Sequence, residues 1–315
     1  MTSPALRRTT SIVAGSTFLL LLAGGMVTST GSGLAVPDWP LSFGQWMPPM
    51  EGGVLYEHGH RVAASAVGLL IGIQAVWLWR REPRAWVRGL GWLALGGVVL
   101  QGVLGGLTVL LRLPDAISVS HAALAEIVFG LTVAIATVLS RTWRSAEAGV
   151  VDSGEPALRT LAGATAAILF LQILLGAVVR HTGAGLAIPT FPLAYGQLVP
   201  PLGNLPVALH FAHRVGALVV AGAVAWTAVR AWRRHRDDPW LLRPALGLAG
   251  LVVLQVALGG WVVLSAKTAW IATAHLGVGA LMWGISIALA LRTGRRLRLA
   301  PHPAGREPLP LLVPQ

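Results

Sequence analysis

Eight stretches of this chain are apolar for long enough to cross a bilayer: residues 11–28, 58–79, 89–111, 117–140, 159–180, 207–231, 242–265 and 269–291. A helix needs about 20 such residues to span roughly 30 Å of hydrocarbon. The expected fold is therefore an all-α membrane protein with eight transmembrane helices. Composition agrees: 55% of the 315 residues are apolar and 11% are charged, the profile of a chain whose solvent is lipid.

A net charge of +12 would suit a nucleic-acid partner if the basic side chains lined a groove. Instead they stand in short clusters between apolar runs, so no nucleic acid is expected. Segments 80–88, 141–159 and 230–243 hold four, three and five Arg; with two and five at the termini, 19 of the 24 Lys+Arg fall on one side. By the positive-inside rule that side is cytoplasmic. The expected location is the inner (plasma) membrane, multi-pass, with both termini cytoplasmic and segments 29–56 and 181–206 facing outward. Arg7 and Arg8 before an apolar run resemble a signal peptide, but no cleavage site leads into a soluble domain, and the run reads as a retained helix. The absence of cysteine excludes disulfides, thiolate metal sites, iron–sulfur clusters and cysteine-attached haem. Metal chemistry falls to histidine and carboxylate.

The chain repeats itself. Thr30–Pro49 recurs as Thr182–Pro201 with 12 identities in 20 positions, where average usage would give about one or two. The correspondence continues through Leu100-Gln101 with Leu254-Gln255, Gly105-Gly106 with Gly259-Gly260, and His121 with His275. Four spans per repeat bring both halves in from the same side. The expectation is two tandem four-helix bundles related by a pseudo-twofold axis along the membrane normal, with domains at 1–148 and 149–300 and a cytoplasmic tail at 301–315.

Four of the nine histidines occupy equivalent places. His60 and His213 open the second and sixth spans, and His121 and His275 open the fourth and eighth, all at the outer side. Two imidazoles on facing helices can hold a haem from both axial sides. A lone intramembrane histidine often only packs and hydrogen-bonds; four in register point to ligation, because polar groups in lipid are expensive. Arg61 and Arg214 directly follow two of them, offering bidentate pairing to a haem propionate or snorkelling to the interface. Glu57 lies one turn before His60, on the same helix face, and stands opposite His210 in the repeat. It is the candidate for acid, base or cation-stabilising work, the alternative being a helix-start carboxylate favoured by the macrodipole. His58 and His181 read as solvated, and His235 and His302 as structural. Glu126, opposite Ala280, reads as a proton relay or an interhelical hydrogen-bonding group. Trp77, Trp79, Trp86, Trp143 and Trp232 suggest an interfacial belt, whereas Trp39 and Trp46 are placed to cover a haem edge. The glycine pairs permit close approach to a helix or to a porphyrin.

Taken in order, the Thr30-Gly31-Ser32-Gly33-Leu34 loop running into Pro37-Asp38-Trp39-Pro40, Glu57-x-x-His60-Arg61, His121, Val179-Arg180-His181-Thr182-Gly183, His213-Arg214 and His275 resemble the haem A synthase family over essentially the whole chain. The resemblance implies oxidation of the C8 methyl of haem O to a formyl group by successive hydroxylations, giving haem A for cytochrome oxidase. It further implies that His60, His121 and Glu57 in the N-terminal half hold and oxidise the substrate, haem O, while His213 and His275 hold a haem B cofactor. Haem O synthase and cytochrome oxidase assembly proteins are the implied partners. Many members carry paired cysteines in the outer loops; here those stretches have Ala35, Ser42, Ala187 and Ala194, so any relay runs without thiols of this chain. Three rivals share the pattern: a dihaem b-type membrane electron carrier, which has no use for Glu57; a haem-handling assembly factor; and a transporter, whose marked residues would sit at mid-bilayer.

Overall fold

The computed structural model describes residues 3–146, 149–152 and 155–299; the tail expected at 301–315, including His302, lies outside them. Its long helices are α1 (Pro4–Ser29), α2 (Gly52–Arg81), α3 (Ala85–Leu110), α4 (Asp115–Leu139), α6 (Leu158–His181), α7 (Leu205–His235), α8 (Pro239–Leu264) and α9 (Ala269–Arg296), with a short α5 (Arg141–Ser145) after α4. All eight long helices are of a length and hydropathy to cross a membrane. The chain is a multi-pass membrane protein. Each expected span lies on one of these helices, overrunning its C-terminal end by one residue at most. The helices extend beyond the apolar runs, notably at the starts of α1 (Pro4) and α2 (Gly52) and at the end of α9 (Arg296), because polar side chains can lie in the interfacial layers where backbone hydrogen bonding still favours a helix.

Each half closes into its own ring. α1 packs on α2 and α4, and α3 on α2 and α4; α6 packs on α7 and α9, and α8 on α7 and α9. The buried apolar residues divide accordingly, one core running from Leu6 and Val13 to Val138 and Leu139, the other from Leu158 and Ala162 to Leu289 and Leu297. The halves meet through α1 with α9, α4 with α6 and α4 with α9. Small residues allow that approach: a methyl group on Gly25 of α1 would lie 3.3 Å from Thr273 of α9, and one on Gly284 of α9 would lie 3.2 Å from the Phe129 ring of α4.

One feature departs from the all-α expectation. Val150–Asp152 (β1) pairs in parallel with Leu297–Leu299 (β2). Parallel strands need a long connection between them, and the whole of α6–α9 supplies it. Asp152 then fixes the joint, accepting from the Leu158 amide at 2.6 Å and from Arg230 Nη2 at 2.6 Å.

Candidate functional site

The repeated segments fold alike. Between α1 and α2, and again between α6 and α7, the chain makes a cis aromatic–proline bond, at Trp39-Pro40 and Phe191-Pro192. Each loop then turns through a short bridge, Ser42 with Gln45 and Ala194 with Gln197. The turns place Phe43-Gly44 and Tyr195-Gly196 at positive φ, where glycine carries no steric penalty. In the first loop Asp38 accepts from the Phe43 and Gly44 amides at 2.7 and 2.8 Å, and those bonds, with Gly44's the larger effect, hold its carboxyl below the usual 3.8. In the second loop the Thr190 hydroxyl accepts from the Tyr195 amide at 2.8 Å.

The arginines bind these loops. Arg61 Nη1 donates to the carbonyls of Asp38 (2.8 Å) and Leu41 (2.9 Å), and Nη2 donates to Glu57 Oε1 (2.6 Å). Arg214 Nη2 donates to the carbonyls of Ile188 (2.9 Å) and Thr190 (2.7 Å), leaving Nη1 buried without a partner. Glu57 is 4% exposed and its other oxygen accepts from the Val36 amide at 2.8 Å. Its repeat partner His210 accepts from the Ile188 amide through Nδ1 at 3.3 Å. The two positions do one job, fastening the loop to its helix, with an ion pair in the first half and an imidazole in the second.

All four repeat histidines sit on glycine. A methyl group built on Gly24 (α1), Gly105 (α3), Gly176 (α6) or Gly259 (α8) would lie 3.1, 3.2, 3.0 or 3.1 Å from Cε1 of His60 (α2), His121 (α4), His213 (α7) or His275 (α9). Each ring is thus carried by one helix and backed by its neighbour. Because α2 and α4 stand diagonally in one ring, and α7 and α9 in the other, the members of each pair face across a bundle. Nδ1 of His60, His121 and His275 is buried without a hydrogen bond among the described residues, while the rings remain partly uncovered. Gln101 Nε2 holds the His121 carbonyl at 2.9 Å and Gln172 Nε2 the His213 carbonyl at 2.8 Å.

The other half of each glycine pair faces the loop: a methyl group on Gly106 would lie 2.7 Å from the Trp39 ring, and one on Gly260 would lie 2.6 Å from Phe191. Trp46 projects outward, 82% exposed. His58, expected to be solvated, is instead buried with Nδ1 2.7 Å from Ser42 Oγ; α2 begins six residues before it, so it lies under the loop. Glu126 is buried on α4, with Oε2 unpartnered among the described residues. Trp79, Trp86 and Trp232 are exposed at helix ends, whereas Trp77 packs against the first core.

Two imidazoles bound to one iron place their ring centroids roughly 6 Å apart, allowing about 2.0 Å per metal–nitrogen bond and about 1.1 Å from nitrogen to centroid. The His213 and His275 centroids are 6.5 Å apart with the rings at 74°. Among the described residues no three His, Asp or Glu gather as a protein-only metal cage would need; a haem brings its own equatorial donors, so a facing pair is enough. The donor set fits a haem.

Residues 7–287 match the family model described as "Cytochrome oxidase assembly protein". The chain belongs to this family. Among its relatives are proteins named heme A synthase from Symbiobacterium thermophilum, 33% identical over 94% of this chain and 96% of the relative, and from Geobacillus kaustophilus, 29% identical over 91% and 92%. A third family member, from Halalkalibacterium halodurans, is 31% identical over 82% of this chain and 86% of its own.

Proposed function

We propose that this chain is a haem A synthase, an oxidoreductase that converts haem O to haem A. The observation that carries the reading is the facing imidazole pair at 6.5 Å in a chain of this family, repeated by position in the other half. His213 and His275 hold a haem B cofactor in the C-terminal half; when bound it supplies one-electron redox chemistry. His60 and His121 hold the substrate haem O in the N-terminal half. Converting a methyl to a formyl group removes four electrons and adds one oxygen, so substrate must stay fixed through successive steps. The glycine-backed histidines provide that fixity, since ligands locked by packing hold reactants within productive geometry.

Glu57 is the group that distinguishes the halves. It lies one turn from His60, and its ion pair with Arg61 sets a carboxylate beside the substrate edge, where it stabilises developing positive charge or takes a proton. Arg61 and Arg214 act first as loop anchors, and Arg214 Nη1 is left to meet a propionate. The loops cover the sites and restrict water. The basic ends of the helices face the cytoplasm, so both haems lie near the outer face of the plasma membrane. Haem O, being lipid-soluble, arrives from the bilayer, which makes haem O synthase a natural physical partner.

The test is expression in a host that makes haem O but not haem A, followed by haem extraction and chromatography with mass detection. Haem A should accumulate with this chain and disappear in His60→Ala and Glu57→Gln. Folded protein carrying only haem B, despite a supply of haem O, would identify an electron carrier instead.

A further inference from the structure

Arg180, near the C-terminal end of α6, belongs to the second half but is moored on the first. Its Nη2 donates to the Gly25 carbonyl of α1 at 2.7 Å and to Ser29 Oγ at 2.7 Å. Gly25 follows Gly24, the residue under the His60 ring. Ser29 Oγ is also 3.1 Å from Oγ1 of Thr273 on α9, two residues before His275. The guanidinium therefore stands on the seam between the two candidate haem sites.

Its chemistry is incomplete. A guanidinium carries five N–H donors, and only those of Nη2 are engaged among the described residues. No carboxylate of the described residues pairs with it, whereas Arg61 has Glu57. A cation in a lipid-embedded bundle is expensive without an anion and marks a ligand site. Nε and both N–H groups of Nη1 remain as donors, on separate edges of the guanidinium, and either edge can meet a carboxylate oxygen.

We propose that Arg180 receives a carboxylate of the haem held by His213 and His275, making with Ser29 an anion site shared by the two halves. The proposal rests on the haem reading above. It links the sites physically: the cation that meets one haem is fastened to the helix that backs His60.

The test uses the full chain, purified haem-free in detergent, with two probes: haem B and its dimethyl ester, whose carboxylates are masked. Wild-type protein should bind the free acid more tightly than the ester by on the order of tenfold to a hundredfold. Arg180→Gln should lower the acid-to-ester ratio without abolishing it, since Arg214 still meets the other carboxylate, while ester binding like that of wild type shows an intact fold. Arg180→Lys, which keeps the charge but loses the guanidinium's spread of donors, should give an intermediate ratio. The haem midpoint potential should fall in Arg180→Gln, because a nearby cation favours the reduced form. An unchanged acid-to-ester ratio in Arg180→Gln overturns the proposal; if that variant does not fold, the same result in Arg180→Lys does so. Wild-type protein that binds neither probe with bis-imidazole spectra overturns the haem reading itself.

Discussion

Filling the space behind one candidate haem-ligating histidine is the most direct probe of the site. In Gly259→Ala the new methyl would lie 3.1 Å from Cε1 of His275, whereas carbon atoms rest comfortably at about 3.5–4.0 Å. The ring must retreat by roughly half an ångström, toward the space where His213 faces it. Overpacking of this kind costs about 1–3 kcal/mol. Expressed in haem affinity at 1.4 kcal/mol per decade, that is a loss of roughly 5- to 150-fold. The control is on the same helix: nothing lies within 4 Å of a methyl group on Gly250, so Gly250→Ala gains only helix propensity, about 0.5–1 kcal/mol. Both variants are purified haem-free and titrated with haem B, following the Soret band and the low-spin signature of two imidazoles. If Gly259→Ala binds as tightly as Gly250→Ala, His275 is not pinned by α8 and the reasoning fails.

Two further outcomes follow from the loop anchors. Arg61→Ala strands the buried Glu57 carboxylate, and breaking such a pair costs about 3–5 kcal/mol; Arg214→Ala leaves no carboxylate behind, so thermal unfolding should show the smaller loss for Arg214→Ala. Asp38 has its carboxyl held below 3.8 by the Gly44 and Phe43 amides, so its contribution is complete above that value and is lost as pH falls through the lowered one. Protection of segment 38–44 against hydrogen exchange, taken relative to the intrinsic rate at each pH, should therefore fall below about pH 3.8 in wild type but not in Asp38→Asn, while that of the equivalent loop, built on Thr190, holds; equal losses of protection in both loops would remove Asp38 from the account.

The spans were readable because lipid demands long apolar runs, and the duplication because the loop between α1 and α2 keeps its prolines and glycines. Helix ends are less legible: hydropathy marks the stretch in hydrocarbon, not the turns beyond it, which is why His58, at the very start of an expected span, reads as solvated. The β1–β2 pairing joins two three-residue segments more than a hundred residues apart, and neither carries a periodic signal. At the site, the repeat singled out His60, His121, His213 and His275, but the glycine under each belongs to a different helix, and only packing reveals which glycine serves which ring. Glu57 and His210 were read as a chemical difference; in the fold they also share a mechanical task, because each accepts from the amide before Pro37 or Pro189. Arg180 gave no sign of its contact with α1, since that contact crosses between the halves.

The glycine beneath each imidazole also sets how the protein is loaded. A ring wedged on a neighbouring helix has little freedom to lose, so on the proposed function a porphyrin would meet nitrogens already held in place.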